Sequence, residues 1–324
     1  MIVIEQCGPL NTIQDLGRTE YRHLGVSVSG VMDQLALKAG NLILGNDAGA
    51  AAIELQMFPF RVRFTEATAV AITGADCRVK LDGCELPPWW VFPVEKDQTL
   101  EINFPRSGAR GYLCVAGGLD VPVVMGSRST ALRGAFGGHH GRYLQTGDEL
   151  NIQPAKSLKK LSAGGIGIVP PNEALKSFYP AAEDKVVPIR AIAAGEYELF
   201  CHGDQTFWDR EWEVSKDSNR TGFRLSGKPL VPSEVIEMRS YGLIPGIVQV
   251  PPAGEPIIQL SDANTAGGYP KIACVIEEDL WRLGQLSAGS KIKFIETDVA
   301  ESIAIKKGID QWLNKISTYA QSLH

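Results

Sequence analysis

The sequence predicts a mainly β protein with a few helices, arranged as two lobes. Three observations carry that expectation. Short runs of alternating apolar residues, punctuated by turn residues, recur along the chain, with "FRVRFTEATAVAIT", "CRVKLDGCELP", "TLEINF" and "GYLCVAGG" among the clearest. Neither half alternates strands with long helical segments, which argues against a doubly wound parallel sheet and for barrel-like or sandwich-like lobes. Between 151 and 187 the chain turns polar and rich in small residues, as a link between two halves does. The expected division is 1–160 for an N-terminal β-rich lobe and 161–324 for a C-terminal β-barrel lobe with a terminal helix. At 324 residues and 44% hydrophobic content, both lobes can fill a core without staples.

The elements follow in order. "MIVIEQCGPL" reads as a first strand, because its apolar run stops at Glu5 and no basic leader of a signal peptide precedes it. Over 32–44, Met32, Leu35, Ala36, Ala39, Leu42 and Ile43 recur at helical spacing, and Gly45 with Asn46 ends the run; Asp33 belongs to the first turn, where the macrodipole favours a carboxylate. Asp82 and Gly83 stand where a tight hairpin needs positive φ. Ile276, Leu280, Leu283 and Leu286 mark a second amphipathic helix. The last helix opens at Asp298 with Glu301 three residues on, an acidic variant of the capping box, and carries Ile305, Ile309, Trp312, Leu313 and Ile316 on one side.

Charge and composition exclude several classes of function. Thirty-two basic and 37 acidic residues give a net charge of −5, and no run of like charge could track a phosphate backbone, so no nucleic-acid partner is expected. No apolar stretch approaches the roughly 18 residues of a membrane span. The six cysteines form no C-x-x-C pair and mostly lie in apolar surroundings, as reduced thiols of a cytoplasmic protein do. "LSGKPL" has neither the spacing nor the hydroxyl of a P-loop, and "GGIGIV" is not a dinucleotide fingerprint. His139 and His140 are adjacent and lack an obvious third ligand, so no metal is expected.

Four polar, glycine-bearing stretches remain. In "NTIQDLGRTEYRHLGVSVSGVMD", Gln14, Asp15 and Arg18 surround a turn, and a guanidinium beside glycine can clamp a carboxylate, carbonyl or phosphate. In "GARGYLCVAGGLDVPVVMGSRST", Cys114 reads as a small core residue, while Ser127, Arg128, Ser129 and Thr130 supply donors that either meet a ligand or cap their own loop. In "DSNRTGFRLSG", Arg220 and Arg224 flank Gly222, as in a site or a plain hairpin tip. "SDANTAGGYPKIACVI" gathers Asp262, Asn264, Thr265, Gly267, Gly268, Tyr269 and Lys271 before a helix entry. Each residue alone has a local turn role, with Gly267 and Gly268 open to conformations closed to other residues; the cluster as a whole points to a site.

These stretches, with "TIQDLGR", "GVSVSGVMD", "NLILGN", "GRYLQTGD" and "GIVQVPPAGEPIIQLSDANTAGGYPKIACVI", resemble the biotin-dependent carboxyltransferase-like family, in order from about residue 3 to about 295. That family includes the C subunit of bacterial ATP-dependent 5-oxoprolinase, the KipA antagonist of a kinase inhibitor, and the second half of the urea carboxylase carboxyltransferase region. The resemblance implies two cyclophilin-like β-barrel lobes. It also implies partners: a homologous, KipI-like B subunit and, in 5-oxoprolinase, an A subunit. There the assembled complex uses ATP to open the lactam of 5-oxo-L-proline to L-glutamate. On this basis Arg128, Asp262 and Lys271 are candidate catalytic residues, and Gln14, Arg18, Arg220, Thr265, Gly267, Gly268 and Tyr269 candidate substrate contacts, with Arg128 and Arg220 as anion clamps. Where relatives commonly carry a Gly-Pro pair, this chain reads "RAIAAGEYELF", so that turn takes no role from the resemblance.

Two other functions share the fold. Carboxyl transfer from carboxybiotin to urea or another small amide would need a separate carrier, since no lysine directly follows any methionine here. A non-enzymatic regulator binding a KipI-like kinase inhibitor would need only an interface of on the order of 1,600 Å².

Overall fold

The alternating runs fold as strands wherever one face can be buried. The computed structural model describes residues 1–155, 161–179, 184–201, 207–234 and 236–323. The chain divides into two compact units, Met1–Arg18 with Ser29–Ala174 and Asp310–His324, and Thr19–Val28 with Leu175–Ile309.

The first unit contains β1 (Ile2–Gln6), β2 (Thr12–Gln14), α1 (Gln34–Ile43), β3 (Ala52–Leu55), β4 (Phe60–Phe64), β5 (Thr68–Gly74), β6 (Cys77–Leu81), β7 (Cys84–Leu86), β8 (Trp90–Val94), β9 (Thr99–Pro105), β10 (Gly111–Val115), β11 (Glu149–Leu150), β12 (Ile166–Gly167) and α2 (Pro171–Ala174). They form two six-stranded sheets, ordered β11-β1-β4-β9-β6-β7 and β12-β8-β5-β10-β3-β2. One apolar cluster joins the sheets, with Ile2, Ile4, Phe60, Val62 and Phe64 from the first and Ile53, Val70, Ile72, Phe92 and Leu113 from the second. The β6–β7 hairpin turns at Asp82 and Gly83, both at positive φ (47° and 83°). Helix α1 lies against β5 and β10: Thr73 Oγ1 donates to Ala36 O at 2.8 Å, and a Cβ on Gly40 would come within 2.8 Å of Cys114 Sγ. Asp33 precedes this helix as its N-cap rather than lying in its first turn, accepting from Ala36 N at 2.9 Å.

The second unit contains β13 (Val186–Ala193), β14 (Glu211–Val214), β15 (Gly222–Ser226), β16 (Tyr241–Gly242), β17 (Ile247–Gln249), β18 (Ile257–Gln259), β19 (Ala266–Gly267), β20 (Lys271–Val275), α3 (Glu277–Gly284), β21 (Lys291–Glu296) and the first turns of α4 (Val299–Leu323). Seven strands close a barrel in the order β13-β20-β17-β18-β15-β14-β21, sealed by the parallel β13–β21 pair. Inward positions alternate as β14 and β21 require, burying Trp212, Val214, Ile292 and Phe294. β16 and β19 form a separate two-stranded ribbon. Asp298 Oδ1 accepts from Glu301 N at 2.8 Å, capping α4 where the sequence places its start.

The division differs from the expected one. Position 160 lies outside the described residues, and 161–174 belong to the first unit because β12 pairs with β8 and Trp90 Nε1 donates to Gly164 O at 2.8 Å. The last turns of α4 join the same unit, where Trp312 packs on Trp89 and donates to Val169 O. No described helix is long and apolar enough to cross a membrane.

Candidate functional site

The ten candidate residues divide between the units: Gln14, Arg18 and Arg128 lie in the first, the other seven in the second.

In the first unit the hub is Asp15. Its Oδ1 accepts from Gly17 N (2.8 Å), Ser127 Oγ (2.6 Å) and Ser129 Oγ (2.6 Å), and its Oδ2 accepts from Arg128 N (2.6 Å). The carboxylate thus shapes the 127–129 loop. Gln14, fully buried, accepts from Gly30 N and donates to Thr12 Oγ1 and Thr130 O. Arg18, also buried, donates to Ser129 O at 2.6 Å and lies over the Phe136 ring. Both side chains expected to touch a ligand therefore hold the protein's own loops. Arg128 is different: Nε donates to Val121 O at 3.1 Å, and its two Nη groups have no partner among the described residues. Cys114 is fully buried, its thiol pushed up to about 12 by burial, which suits a core residue and not a nucleophile.

The histidine pair has a local role in the same unit. His139 and His140 contact edge to face, and His139 Nε2 lies 3.4 Å from Asp148, which Arg142 grips with two nitrogens at 2.7 and 2.8 Å. No group of ligands able to hold a metal occurs among the described residues. Burial pushes the Asp148 carboxyl up, but Arg142, the Gln145 amide and His139 together hold it below its ordinary value. Burial lowers His139, with Asp148 opposing. Both groups bind a proton less readily folded than unfolded, so acidification favours the unfolded chain. Stability is expected to fall as pH drops below the ordinary histidine value of 6.5, and again below the carboxylate value of 3.8, as each folded value is approached. Urea titrations between pH 7.5 and 3 check this, and His139→Gln should remove the first decline.

In the second unit Arg220 and Asp262 form a two-pronged pair, Nε to Oδ2 at 2.9 Å and Nη2 to Oδ1 at 3.3 Å, with Asp262 N also donating to Arg220 O. The carboxylate neutralises the guanidinium expected to serve as an anion clamp. Thr265 main chain accepts from Leu243 N, so it holds the β16–β19 ribbon, while its hydroxyl and that of half-exposed Tyr269 have no partner among the described residues. Neither Gly267 nor Gly268 takes a left-handed backbone. Space explains Gly267 instead: a Cβ there would come within 2.9 Å of both Gln249 Nε2 and Leu243 Cδ1.

Lys271 is the most unusual group. Only 2% exposed, its ammonium donates to Gly267 O (3.0 Å) and Tyr269 O (3.2 Å) and lies 3.1 Å above the centre of the Tyr241 ring. These contacts are neutral, and no carboxylate pairs with Nζ among the described residues. Burial lowers its pKa, with the Glu196 charge opposing. Glu196 Oε2 accepts from Lys271 N at 2.8 Å and from Tyr241 Oη at 2.7 Å. Behind the amine runs an amide relay: Gln249 donates to Tyr269 O, and Gln259 donates to Gln249 Oε1. Glu196 and Tyr241 carry no local motif, and Gln249 and Gln259, although inside the quoted 246–276 stretch, are not singled out by it; their register opposite the 265–271 segment is what reveals all four.

The carboxyltransferase domain family, subdomain A and B, matches residues 24–296. This chain belongs to that family. It is 37% identical to the C subunit of 5-oxoprolinase from Escherichia coli (strain K12) over 98% of both chains, and 39% identical to the Haemophilus influenzae protein of the same name over 94% of both. The urea amidolyase structure from K. lactis superposes with a TM-score of 0.85 at 27% identity, covering 97% of this chain and 20% of that one. The family segment takes in the 127–129 loop and the whole Lys271 cluster.

Proposed function

We propose that this chain is the C subunit of an ATP-dependent 5-oxoprolinase, a cytoplasmic complex that converts 5-oxo-L-proline to L-glutamate together with an A and a B subunit. The end-to-end match to two bacterial C subunits carries the reading: those relatives have this chain's extent, with 94% or more of each covered, whereas the urea amidolyase has only 20% of its length covered. Both relatives are named as subunits, which supports a reading in which this chain works beside other subunits and is inactive alone.

The reaction opens a stable amide: ATP gives its terminal phosphoryl group to the lactam oxygen with ADP leaving, water adds at the activated carbon, the C–N bond breaks to free the amine, and a second water releases phosphate and the carboxylate. What remains for this chain is to hold an anionic substrate and steady charge that develops on oxygen. The Lys271 cluster suits that work. Among the described residues its ammonium meets only neutral partners, so no contacting acid cancels its charge, and the hydroxyls of Thr265 and Tyr269, without partners among the same residues, belong to the same segment. Asp262 holds Arg220 and so shapes the strand entry beside it. Arg128 offers a second cation, with two Nη groups uncommitted among the described residues.

Carboxyl transfer to urea or another small amide is the second reading, favoured by the TM-score of 0.85 with urea amidolyase. It makes similar demands on the same groups. Glutamate release from 5-oxoproline and ATP, measured for this chain alone, for its co-encoded partners alone and for all together, separates the two. Release only with all present supports the 5-oxoprolinase reading; a stable complex that releases none overturns it. Within an active complex, Lys271→Met should lower kcat/KM by roughly 10²-fold while assembly by size-exclusion is unchanged. Arg128→Ala tests the second cation in a separate arm, and full activity in both variants would remove these residues from the mechanism.

A further inference from the structure

We propose that Glu196 is a positioning residue, whose carboxylate holds the Lys271 main chain and the Tyr241 ring in the one arrangement that seats the Lys271 ammonium. The inference deepens the function proposed above and rests on it for its catalytic meaning, although its structural part can be tested without turnover.

The argument begins with the lysine. An ammonium has three N–H donors and no acceptor, and here two carbonyls and one aromatic face receive them. Two of those partners, Gly267 O and Tyr269 O, come from the lysine's own turn and follow from its fold. The third does not: Tyr241 is on β16 and is 42% exposed as a residue, so packing alone does not fix its ring. Its hydroxyl is tied at 2.7 Å to Glu196 Oε2. The same oxygen accepts from Lys271 N at 2.8 Å. One carboxylate oxygen therefore fixes both ends of the cation–π contact, from a segment 75 residues earlier in the chain.

A carboxylate at that distance has a second effect. It does not touch Nζ, so the ammonium stays available as a charge, yet it opposes the burial that lowers the lysine's pKa. The Tyr241 phenol is raised by burial and by its bond to Glu196, which keeps it protonated as a donor. Among the described residues, Glu196 and Tyr241 are the ionisable groups whose side chains contact Lys271, and Tyr269 contributes its carbonyl. Glu196 belongs to "RAIAAGEYELF", the stretch to which the sequence assigned no role.

The test uses three variants of the full chain. Glu196→Gln keeps an acceptor and removes the charge; Tyr241→Phe keeps the ring and removes the hydroxyl; Tyr241→Leu removes the ring. The first readout is the titration of the Lys271 amine in the isolated chain labelled with [13Cε]lysine, its resonance identified by its loss in Lys271→Met. Glu196→Gln should move that titration to lower pH, and Tyr241→Leu should change the resonance position. Wild-type behaviour in both would overturn the proposal. The second readout is the pH profile of glutamate release by the complex. Its alkaline limb should move to lower pH in Glu196→Gln, with kcat/KM reduced roughly tenfold in Tyr241→Leu and less in Tyr241→Phe. A moved titration with an unmoved profile would overturn the catalytic part alone. Loss of Lys271→Met sensitivity in an active complex would instead overturn the function proposed for the site, leaving the titration result standing.

Discussion

Replacing Asp279 by alanine should destabilise the second unit by about 3–5 kcal/mol, the cost of leaving a buried charge without its partner. Asp279 is fully buried in the first turn of α3 and accepts from Arg190 N (2.8 Å), Nε (3.2 Å) and Nη2 (2.6 Å). Arg190 is itself 4% exposed, donates to Phe178 O and lies over the Tyr179 ring, with Arg282 over the same ring. Removing one carboxylate leaves two guanidinium groups around one phenol, with half-exposed Glu301, 3.4 Å from Arg190, as the remaining paired acid among the described residues. Urea unfolding followed by tryptophan fluorescence, with Trp281 packed on Tyr179 as a local reporter, checks the value. The pair Arg190→Met with Asp279→Leu should be less damaging than Asp279→Ala, because the guanidinium that Asp279 grips most closely leaves with it and only Arg282 and the main-chain N–H of position 190 lose a partner. Equal losses for the single and double variants would contradict this account.

Asp15→Ala should have the second-largest effect, about 3 kcal/mol, in the first unit. The change strands four donors at once: Gly17 N, Arg128 N, and the hydroxyls of Ser127 and Ser129, which are 1% and 0% exposed. Asn is a poor substitute, since its NH2 would face a donor on one side. Asp15→Asn should therefore recover less than half the loss in a thermal-unfolding comparison. The same variants should weaken any activity that depends on Arg128, whose main chain Asp15 holds, and Arg128→Ala should show that activity loss without the loss of stability. That split separates building the loop from using it.

Much of the architecture was legible locally. The Asp82–Gly83 hairpin, the α1 period with its Gly45 stop and the Asp298 cap of α4 are each specified within a few neighbouring residues, and each appears in the structure. The site was legible in part. The 262–271 segment was recognised as a cluster, but the partners that give it meaning arrive from Arg220, Glu196 and Tyr241, 42, 75 and 30 positions away from Asp262, Lys271 and Lys271 respectively. Arg18 and Gln14 show the opposite case. Their side chains suit a ligand clamp, and only burial against Ser129, Thr130 and Gly30 reveals that the loops have used them.

By itself the sequence determined the β-rich class, the positions of several strands and of the three longer helices, the family and the polar stretches that include the two clusters, because period, turn residues and motif order are properties of neighbours along the chain. Tertiary structure alone decided where the units divide, which charges are neutralised and which remain to act. Whether Arg220 clamps an anion depends on Asp262 reaching it first, and whether Lys271 keeps its charge depends on carbonyls and a ring taking the places an acid could have filled. Those outcomes depend on burial and on distances of about 3 Å between residues remote in sequence, which residue order does not record.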